Sequence, residues 1–440
     1  MSAGIRARAP RFPSLAAAPE LARLLTVRRR GIEAVRSNQL DTIRNLVDHA
    51  AATVPLYREL YSGVVARELG SLEDLRSLPI IDKQTFLARP EPERRTHLDY
   101  AGETSVSTSG TTGQPFTVSK TPYASWQNWI HSLLMMKAIG IRPRDKQVSI
   151  SRRPQRPNRR ATRKIAGARI RLEPTLPPGD LAERLIEIQP DWLTGHPHQL
   201  VEVGRHLDGR LRPRTVTTFG VTTEAEDRAA IEAAYGCAPI DIFGTAETSF
   251  FAWQCRFRDL WHVSHELVYV EIVDENGNEV PAGQLGHMVL TNLTNAAMPF
   301  IRYRVGDSAC FANRPCECGH SLPALERIQG RTFDWLVNGD GRRVAPQRLQ
   351  FAWVLNTPGR RIEGLRRYRV HQHADGTALA EIVSGPGFDP SIPDSIKAGY
   401  EQILGASVEV RLVDQIPLDG TGKFRQFTSD RRAEGFAERP

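Results

Sequence analysis

The chain has 440 residues, 40% hydrophobic and 25% charged, and a formal net charge of +8 from 58 Lys and Arg against 50 Asp and Glu. That composition is globular, and the length suffices for two or three domains with a large core that needs no disulfides. No run of about 18 apolar residues occurs, which argues against a membrane span.

The N-terminal stretch is rich in Arg and Ala and has no acid before Glu20, a pattern shared by transit peptides and frayed basic termini. Residues 31–62 carry a helical period that runs into VPLYRELY. In SLEDLRSLPIIDKQTF, Ser71 and the acids after it have the form of a helix cap. Residues 104–118, TSVSTSGTTGQPFTV, then enclose an uncharged loop of glycines and hydroxyls between two β-branched runs. Backbone N–H groups in such a loop can converge on an anion, and glycine lets a phosphate approach the chain. A polar hairpin turn has the same composition, and the lysine that ends a Walker loop is missing.

TPYASWQNWIHSLLMMKAIG predicts a long helix. Strand-like and helical segments alternate from there through VSI, LAERLIEI, DWLTG, HQLVEVGRHL, TVTTFGV, AEDRAAIEAAYG and IDIFG, which predicts an α/β sheet with crossover helices. From Leu267 the texture changes. LVYVEIVDENGNEVPAG holds an Asn-Gly turn between extended runs, and GHMVLTNL and FIRYRV follow, so antiparallel hairpins are expected. After GRTFDWL comes a smaller mixed unit of roughly 105 residues, near the usual size of a compact domain. Its pieces are YRVHQH, LAEIVSG, a helix around 391–404 and SVEVRLVD.

Two basic segments stand out, 151–171, which contains no acid, and 360–369. Such segments can meet nucleic acid, an anionic membrane face or a phosphorylated cofactor. With no nucleic-acid-binding pattern and almost no interleaved aromatics, no nucleic-acid partner is expected. The cysteines are Cys237, Cys255, Cys310, Cys316 and Cys318. An odd number, no secretory signal and a tight C-E-C predict a reduced, cytoplasmic protein whose thiols are free or metal-bound.

Several acids and bases follow the glycine loop in a fixed order. FGTAE places Glu247 just after a strand and a glycine turn, where it could hold Mg²⁺ on a nucleotide's phosphates, or cap a helix. RYRVGD ends in Asp307, suited to accept hydrogen bonds from both ribose hydroxyls, or to serve a surface turn. GRTFD supplies Arg331 and Asp334, and IPLDGTGKFR supplies Lys423 on a Gly-flanked loop; a salt bridge and a solvated loop are the plainer alternatives.

Together and in this order, these segments resemble the adenylate-forming superfamily of acyl-CoA synthetases, peptide-synthetase adenylation domains and luciferases. Within it the chain looks most like the phenylacetate–CoA ligase family, through LDTIRNLVDHAAATVPLYRELY, SLEDLRSLPIIDKQTF, GHPHQL and TNLTNAAMPFIRYRVGD. The likeness runs from about residue 38 to about 427. It implies an α/β fold with a large N-terminal domain of mixed sheets and helices, residues 1–333, which binds ATP and a carboxylic acid. A small mobile α+β domain, residues 334–440, would swing about a hinge at Asp334.

The reaction implied is attack of a carboxylate on the α-phosphorus of ATP, giving an acyl-adenylate and pyrophosphate, followed by capture of the acyl group by the thiol of CoA. By the same resemblance Ser109, Gly110, Thr111, Thr112 and Gly113 hold the outer phosphates. Phe243, Gly244 and Thr245 belong to the ATP site, Asp307 and Arg331 serve the ribose side, Glu247 holds Mg²⁺, and Lys423 meets the carboxylate and α-phosphate. An amine, hydroxyl or carrier-protein thiol is the alternative acceptor, and a non-catalytic scaffold is a third reading that the retained Lys423, Glu247 and Asp307 oppose. The chain departs from the family at Ala246, Val305 and Phe333, where a hydroxyl, a Thr and an acid are usual.

The thiols find a role in the same frame. Cys255 and His262 follow FGTAE, and Cys316 and Cys318 form PCECGH, a set of three thiolates and one imidazole suited to structural Zn²⁺. Some phenylacetate–CoA ligase-like proteins resemble this. Free thiols are the alternative, with His320 or Cys310 as decoys.

Overall fold

The computed structural model describes residues 13–63, 66–108, 116–151, 167–174, 176–329, 336–341, 343–344, 349, 364–416 and 427–431. The chain divides into two compact units, Met1–Val106 with Val118–Arg331, and Ser107–Thr117 with Thr332–Pro440.

The larger unit opens with α1 (Pro13–Arg29), α2 (Ile32–Thr53), α3 (Pro55–Leu60), β1 (Ile81–Asp82), α4 (Lys83–Leu87) and α5 (Glu91–Arg94). Strands β2 (Thr104–Thr108) and β3 (Phe116–Lys120) precede α6 (Pro122–Ala138). The segment from Pro13 is a packed helix, where the sequence suggested a frayed or cleavable terminus. Ala17 and Leu24 of α1 bury against Trp126, Ile130 and Leu134 of α6, and Arg28 makes a double hydrogen bond to Glu266 at 2.7 and 2.8 Å. Ser71 does not cap a helix either. A short 3-10 turn, Glu73–Ser77, follows it, and the cap is Asp82, whose carboxylate accepts from Thr85 N at 2.9 Å to start α4.

Helix α2 buries the stripe Val35, Gln39, Ile43, Leu46, Val47 and Ala50, the spacing of one helix face. Gln39 Nε2 donates to His265 O at 2.7 Å. From α3, the Tyr57 hydroxyl donates to Pro299 O at 2.9 Å and accepts from Ile301 N at 3.2 Å. VPLYRELY therefore reads as the clamp on a distant loop, which is why Tyr57 is fully buried.

Strands β4 (Gln147–Ile150), β5 (Arg169–Leu172), β6 (Trp192–Gly195), β7 (Thr215–Phe219) and β8 (Ile240–Thr245) are parallel, in the order β5-β4-β6-β7-β8. Their crossovers include α7 (Pro178–Ile188), α8 (Pro197–Gly204) and α9 (Ala225–Tyr235). Val148, Ile150, Leu193 and Val216 pack against Leu181, Leu185, Leu200 and Ile231 of these helices. The end of the basic run is itself a strand: in β5, Ile170 and Leu172 join this core while the alternating arginines do not.

Strand β9 (Ser249–Gln254) turns back antiparallel on β8. It is followed by β10 (Trp261–Val263), β11 (Val268–Val273), β12 (Gly286–Asn292), β13 (Tyr303–Phe311) and β14 (Ala324–Gln329). These pair antiparallel in the order β11-β12-β13-β14-β10-β9, and β1 adds to β13 in parallel, giving one twelve-stranded sheet among the described residues. The buried segment between β12 and β13 ends at Arg302, whose φ is +47°. Arg302 pairs with Glu271 at 2.9 Å, both almost sealed from solvent at 3% and 2% exposure, and donates to Leu78 O at 2.6 Å.

The smaller unit holds β15 (Leu336–Val337), β16 (Arg343–Val344), β17 (Leu365–Gln372), β18 (Ala378–Ser384), α10 (Ile392–Leu404), β19 (Val408–Leu412) and β20 (Phe427–Ser429). Four strands form a sheet in the order β19-β18-β17-β20. Ile396, Tyr400 and Leu404 of α10 pack on Val370, Ala380 and Ile382. The architecture is the expected α/β one, a large mixed unit and a small α+β unit. No helix of the described residues is long and apolar enough to cross a membrane.

Candidate functional site

Strand β8 is the last of the parallel run and the first of the antiparallel one. In open α/β sheets, ligands collect at the carboxyl ends of parallel strands, where the strand pattern changes. Here those ends carry GHPHQL after β6, Gly220 after β7 and the 246–248 turn after β8.

The packing explains the glycines. A Cβ on Gly244 would lie 2.3 Å from Ser249 O, because β8 and β9 approach closely, and one on Gly220, at φ +86°, would lie 2.5 Å from His196 Cε1. His196 packs 4.7 Å from Phe219, which meets Phe250 at 5.9 Å. Burial pushes the His196 imidazole down to about 4, so it stands neutral at pH 7. The crevice thus has a neutral aromatic wall, to which the sequence pointed only through GHPHQL.

Glu247 sits in the β8–β9 turn and is buried, and it caps no helix. The turn is held from several sides. Thr245 Oγ1 meets Thr248 Oγ1 at 3.0 Å, and Asn292 Nδ2 donates to Glu247 O at 2.7 Å. Lys120, also buried, donates to Ser249 Oγ at 2.7 Å, with Ser249 in the left-handed region at φ +65°. Asn295 fastens the neighbouring chain, donating to Ser119 O at 2.8 Å and accepting from Thr121 N at 3.2 Å. TNLTN is therefore the brace of the Glu247 turn. A buried carboxylate on a fixed turn is an oxygen donor of the kind Mg²⁺ takes. Sequence reasoning missed Lys120; a lysine closing a β-branched run, where a core residue is expected, was the available signal.

Asp307 lies within β13, on a bulge and not a surface turn. Against β12 the register passes from Arg304–Val289 to Ser308–His287, so Val305, Gly306 and Asp307 face Met288 alone. Gly306 takes φ +87°, which glycine adopts without strain. A bulge of this sort re-aims a side chain out of the ladder, and Asp307 is left half-buried. Phe243 is half-buried too, edge-on to Phe251 at 5.5 Å. Ser109, Gly110, Thr111, Thr112, Gly113, Arg331, Asp334 and Lys423 lie outside the described residues, as does 152–166.

The thiol set comes together in full. Cys255 follows β9, His262 lies in β10, and Cys316 and Cys318 sit between β13 and β14; β10 pairs with both β9 and β14. Cys255 Sγ is 3.6 Å from Cys316 Sγ, and Cys318 Sγ is 3.3 Å from His262 Nε2. One donor atom from each of the four falls within 4.8 Å of the others. Tetrahedral thiolates at about 2.3 Å from Zn²⁺ stand about 3.8 Å apart, close to the observed sulfur pair. Burial drives the Cys255 thiol up to about 12 and the His262 imidazole down to about 4, so the pocket disfavours unpaired thiolates and leaves the imidazole lone pair free. A divalent cation reverses the first of these costs, and the donor chemistry fits Zn²⁺. Cys310 and His320 are outside the set, although the His320 ring lies 4.5 Å from His262.

No protein-family model matches the chain. The fold is that of adenylate-forming CoA ligases. A 2-hydroxyisobutyryl-CoA ligase with its acyl-AMP and CoA superposes with a TM-score of 0.62 at 21% identity over 90% of each chain. The same enzyme in its postadenylation state gives 0.60 at 20% identity, over 91% of this chain and 89% of that one. Among curated proteins, the chain is similar to phenylacetate–coenzyme A ligases. That of Pseudomonas putida is 27% identical over 70% of this chain and 72% of its own. That of Escherichia coli is 28% identical over 72% and 76%. The resemblance carried by the motifs thus extends across most of the chain.

Proposed function

We propose that the protein is an AMP-forming acid–CoA ligase. It activates a carboxylic acid of aryl or arylacetic type with ATP, releases pyrophosphate, and passes the acyl group to CoA with release of AMP. The observation that carries this is Glu247, buried on a braced turn at the switch from parallel to antiparallel strands, in a chain similar to phenylacetate–CoA ligases.

A carboxylate approaching a polyphosphate needs its charge repulsion relieved. Mg²⁺ held at Glu247 would supply part of that relief, and the Lys423 ammonium the rest at the α-phosphate. Residues 109–113 would hold the outer phosphates, and Asp307 and Arg331 the ribose side. Phe243, Gly244 and Thr245 would border the nucleotide, with the wall of His196, Phe219 and Phe250 excluding water from the reacting carboxylate. We assign residues 1–333 to the ATP and acid-binding domain and 334–440 to a small mobile domain hinged at Asp334. Lys423 could then leave after adenylation and let the thiol enter. Cys255, His262, Cys316 and Cys318 would hold a structural Zn²⁺ that pins the β9–β10 and β13–β14 connections together. That none of the cysteines forms a disulfide fits a cytoplasmic enzyme.

The test is pyrophosphate release over a panel of aromatic and aliphatic acids, with and without CoA. Acid-dependent release coupled to CoA consumption is the expected result. Release without CoA consumption would move the acceptor to an amine, hydroxyl or carrier thiol, and no acid-dependent release would sink the adenylation reading.

A further inference from the structure

In the smaller unit, α10 covers one face of the four-stranded sheet, and the other face brings together four polar side chains from the end of β17, the residue that follows it and the chain around β20. Strands β17 and β20 are parallel, with His371 opposite Thr428 and Gln372 opposite Ser429. Asp430 N donates to Gln372 O at 2.8 Å, which carries the register one step further and sets Asp430 opposite His373. Side chains alternate along a strand, so His371, His373, Thr428 and Asp430 share one face, while Gln372 between them is buried on the other.

The donor atoms converge. His371 Nδ1 meets Thr428 Oγ1 at 2.9 Å, and His371 Nε2 meets Asp430 Oδ2 at 3.0 Å. The His373 ring stands 4.8 Å from that of His371, at 81°. One ligand atom from each of His371, His373 and Asp430 falls within 4.8 Å of the others. An ion pair alone accounts for His371 and Asp430. It leaves out His373, whose ring stands edge-on to His371 and within charge reach of Asp375 and Glu409.

We propose that His371, His373 and Asp430 form a second metal site, separate from the Cys and His centre, for a first-row divalent transition ion such as Zn²⁺, Ni²⁺ or Cu²⁺. Two imidazoles and one carboxylate favour these ions over Mg²⁺ or Ca²⁺, which prefer all-oxygen sets. Thr428 supplies the outer contact: accepting from Nδ1–H of His371, it leaves Nε2 to the metal. The ladder fixes the backbone at His371, and backbone hydrogen bonds of His373 N to Thr377 O and Asp430 N to Gln372 O, both 2.8 Å, hold the next residues in place, which lowers the backbone ordering that binding must supply. β20 begins just downstream of Lys423 in sequence, and an ion here would fasten that strand to β17. The site does not depend on the proposed activity.

The experiment is a Co²⁺ titration of the full-length, untagged protein followed by optical absorption. This site gives d–d bands without thiolate charge transfer, whereas the Cys and His set gives both. The thiolate-free binding should weaken about tenfold or more in His373→Ala and in Asp430→Asn, and persist in Cys316→Ser. His373 and Asp430 are exposed, and an unchanged far-ultraviolet circular dichroism spectrum checks that both variants fold. Wild-type affinity in either variant, or no thiolate-free binding in the wild type, would overturn the site.

Discussion

Cys255 Sγ lies 3.6 Å from Cys316 Sγ although 61 residues separate them in sequence. A pair of buried thiols at this distance, with His262 and Cys318 beside it, is the donor set that we propose for structural Zn²⁺. Metal analysis after removal of weakly held ions should give about one equivalent of thiolate-bound zinc per chain. Cys316→Ser should lose it and lower the melting temperature. Full retention of zinc in that variant would remove Cys316 from the set.

Glu247→Gln keeps the size of the side chain and removes its charge. With the turn still braced by Asn292 and Thr245, stability should change little, while kcat/KM for ATP falls about a hundredfold or more. The Mg²⁺ concentration for half-maximal rate should rise alongside. A variant with normal Mg²⁺ dependence would deny Glu247 its metal role.

Lys423→Ala should abolish acid-dependent pyrophosphate release yet still turn over a supplied acyl-adenylate with CoA. The two half-reactions are measured separately, and equal loss of both would contradict the assignment of Lys423 to adenylation.

Arg302 and Glu271 are sealed together at 3% and 2% exposure. Arg302→Met strands a buried carboxylate and should cost about 3–5 kcal/mol in urea unfolding. Adding Glu271→Met should recover much of that, since a buried pair can give way to packed apolar side chains at little net cost. No recovery in the double variant would mean that the hydrogen bond from Arg302 to Leu78 O, and not the charge pair, is what matters.

The Glu266 carboxyl is raised by burial but held down to about 2 overall by the hydrogen bonds and charge of Arg28. A carboxyl whose folded value is depressed contributes stability that is present above its unfolded value, near 4.3, and lost as pH falls through the folded one. At about 1.4 kcal/mol per unit, the pair is worth on the order of 3 kcal/mol at neutral pH. Acid unfolding curves should therefore show this loss between about pH 4 and 2, and Glu266→Gln should flatten that limb.

Much of the fold was legible in the sequence because its periods are clean. The alternation from α6 to β8 and the hairpins after Leu267 appear where they were expected. The misses have physical causes. Arginines at alternate positions hid the strand Arg169–Leu172, whose core-facing half is only the partly buried Ile170 and Leu172. Ser71 looked like a cap because acids follow it, but the hydrogen bond that starts a helix belongs to Asp82. Residue types and the family resemblance named the thiol set and set Cys310 and His320 aside, whereas the convergence of its four donor atoms within 4.8 Å needed three dimensions. Lys120 was only half legible: a lysine closing the β-branched run in VSKT marks the position, but its contact with Ser249 spans 129 residues and nothing local names the partner.

The clamp of Tyr57 on Pro299 reaches across 242 residues. On the ribosome, α2 and α3 emerge early, yet their partners at His265 and Pro299 are made only after the parallel strands. At about 5–20 residues per second, the nascent chain waits roughly 12–50 seconds with the helix stripe and the Tyr57 hydroxyl unclaimed. Closure of so many distant contacts is slow for the same reason that long loops are costly to close. The larger unit should therefore mature late in synthesis, and its first helices are the natural place for a chaperone to hold.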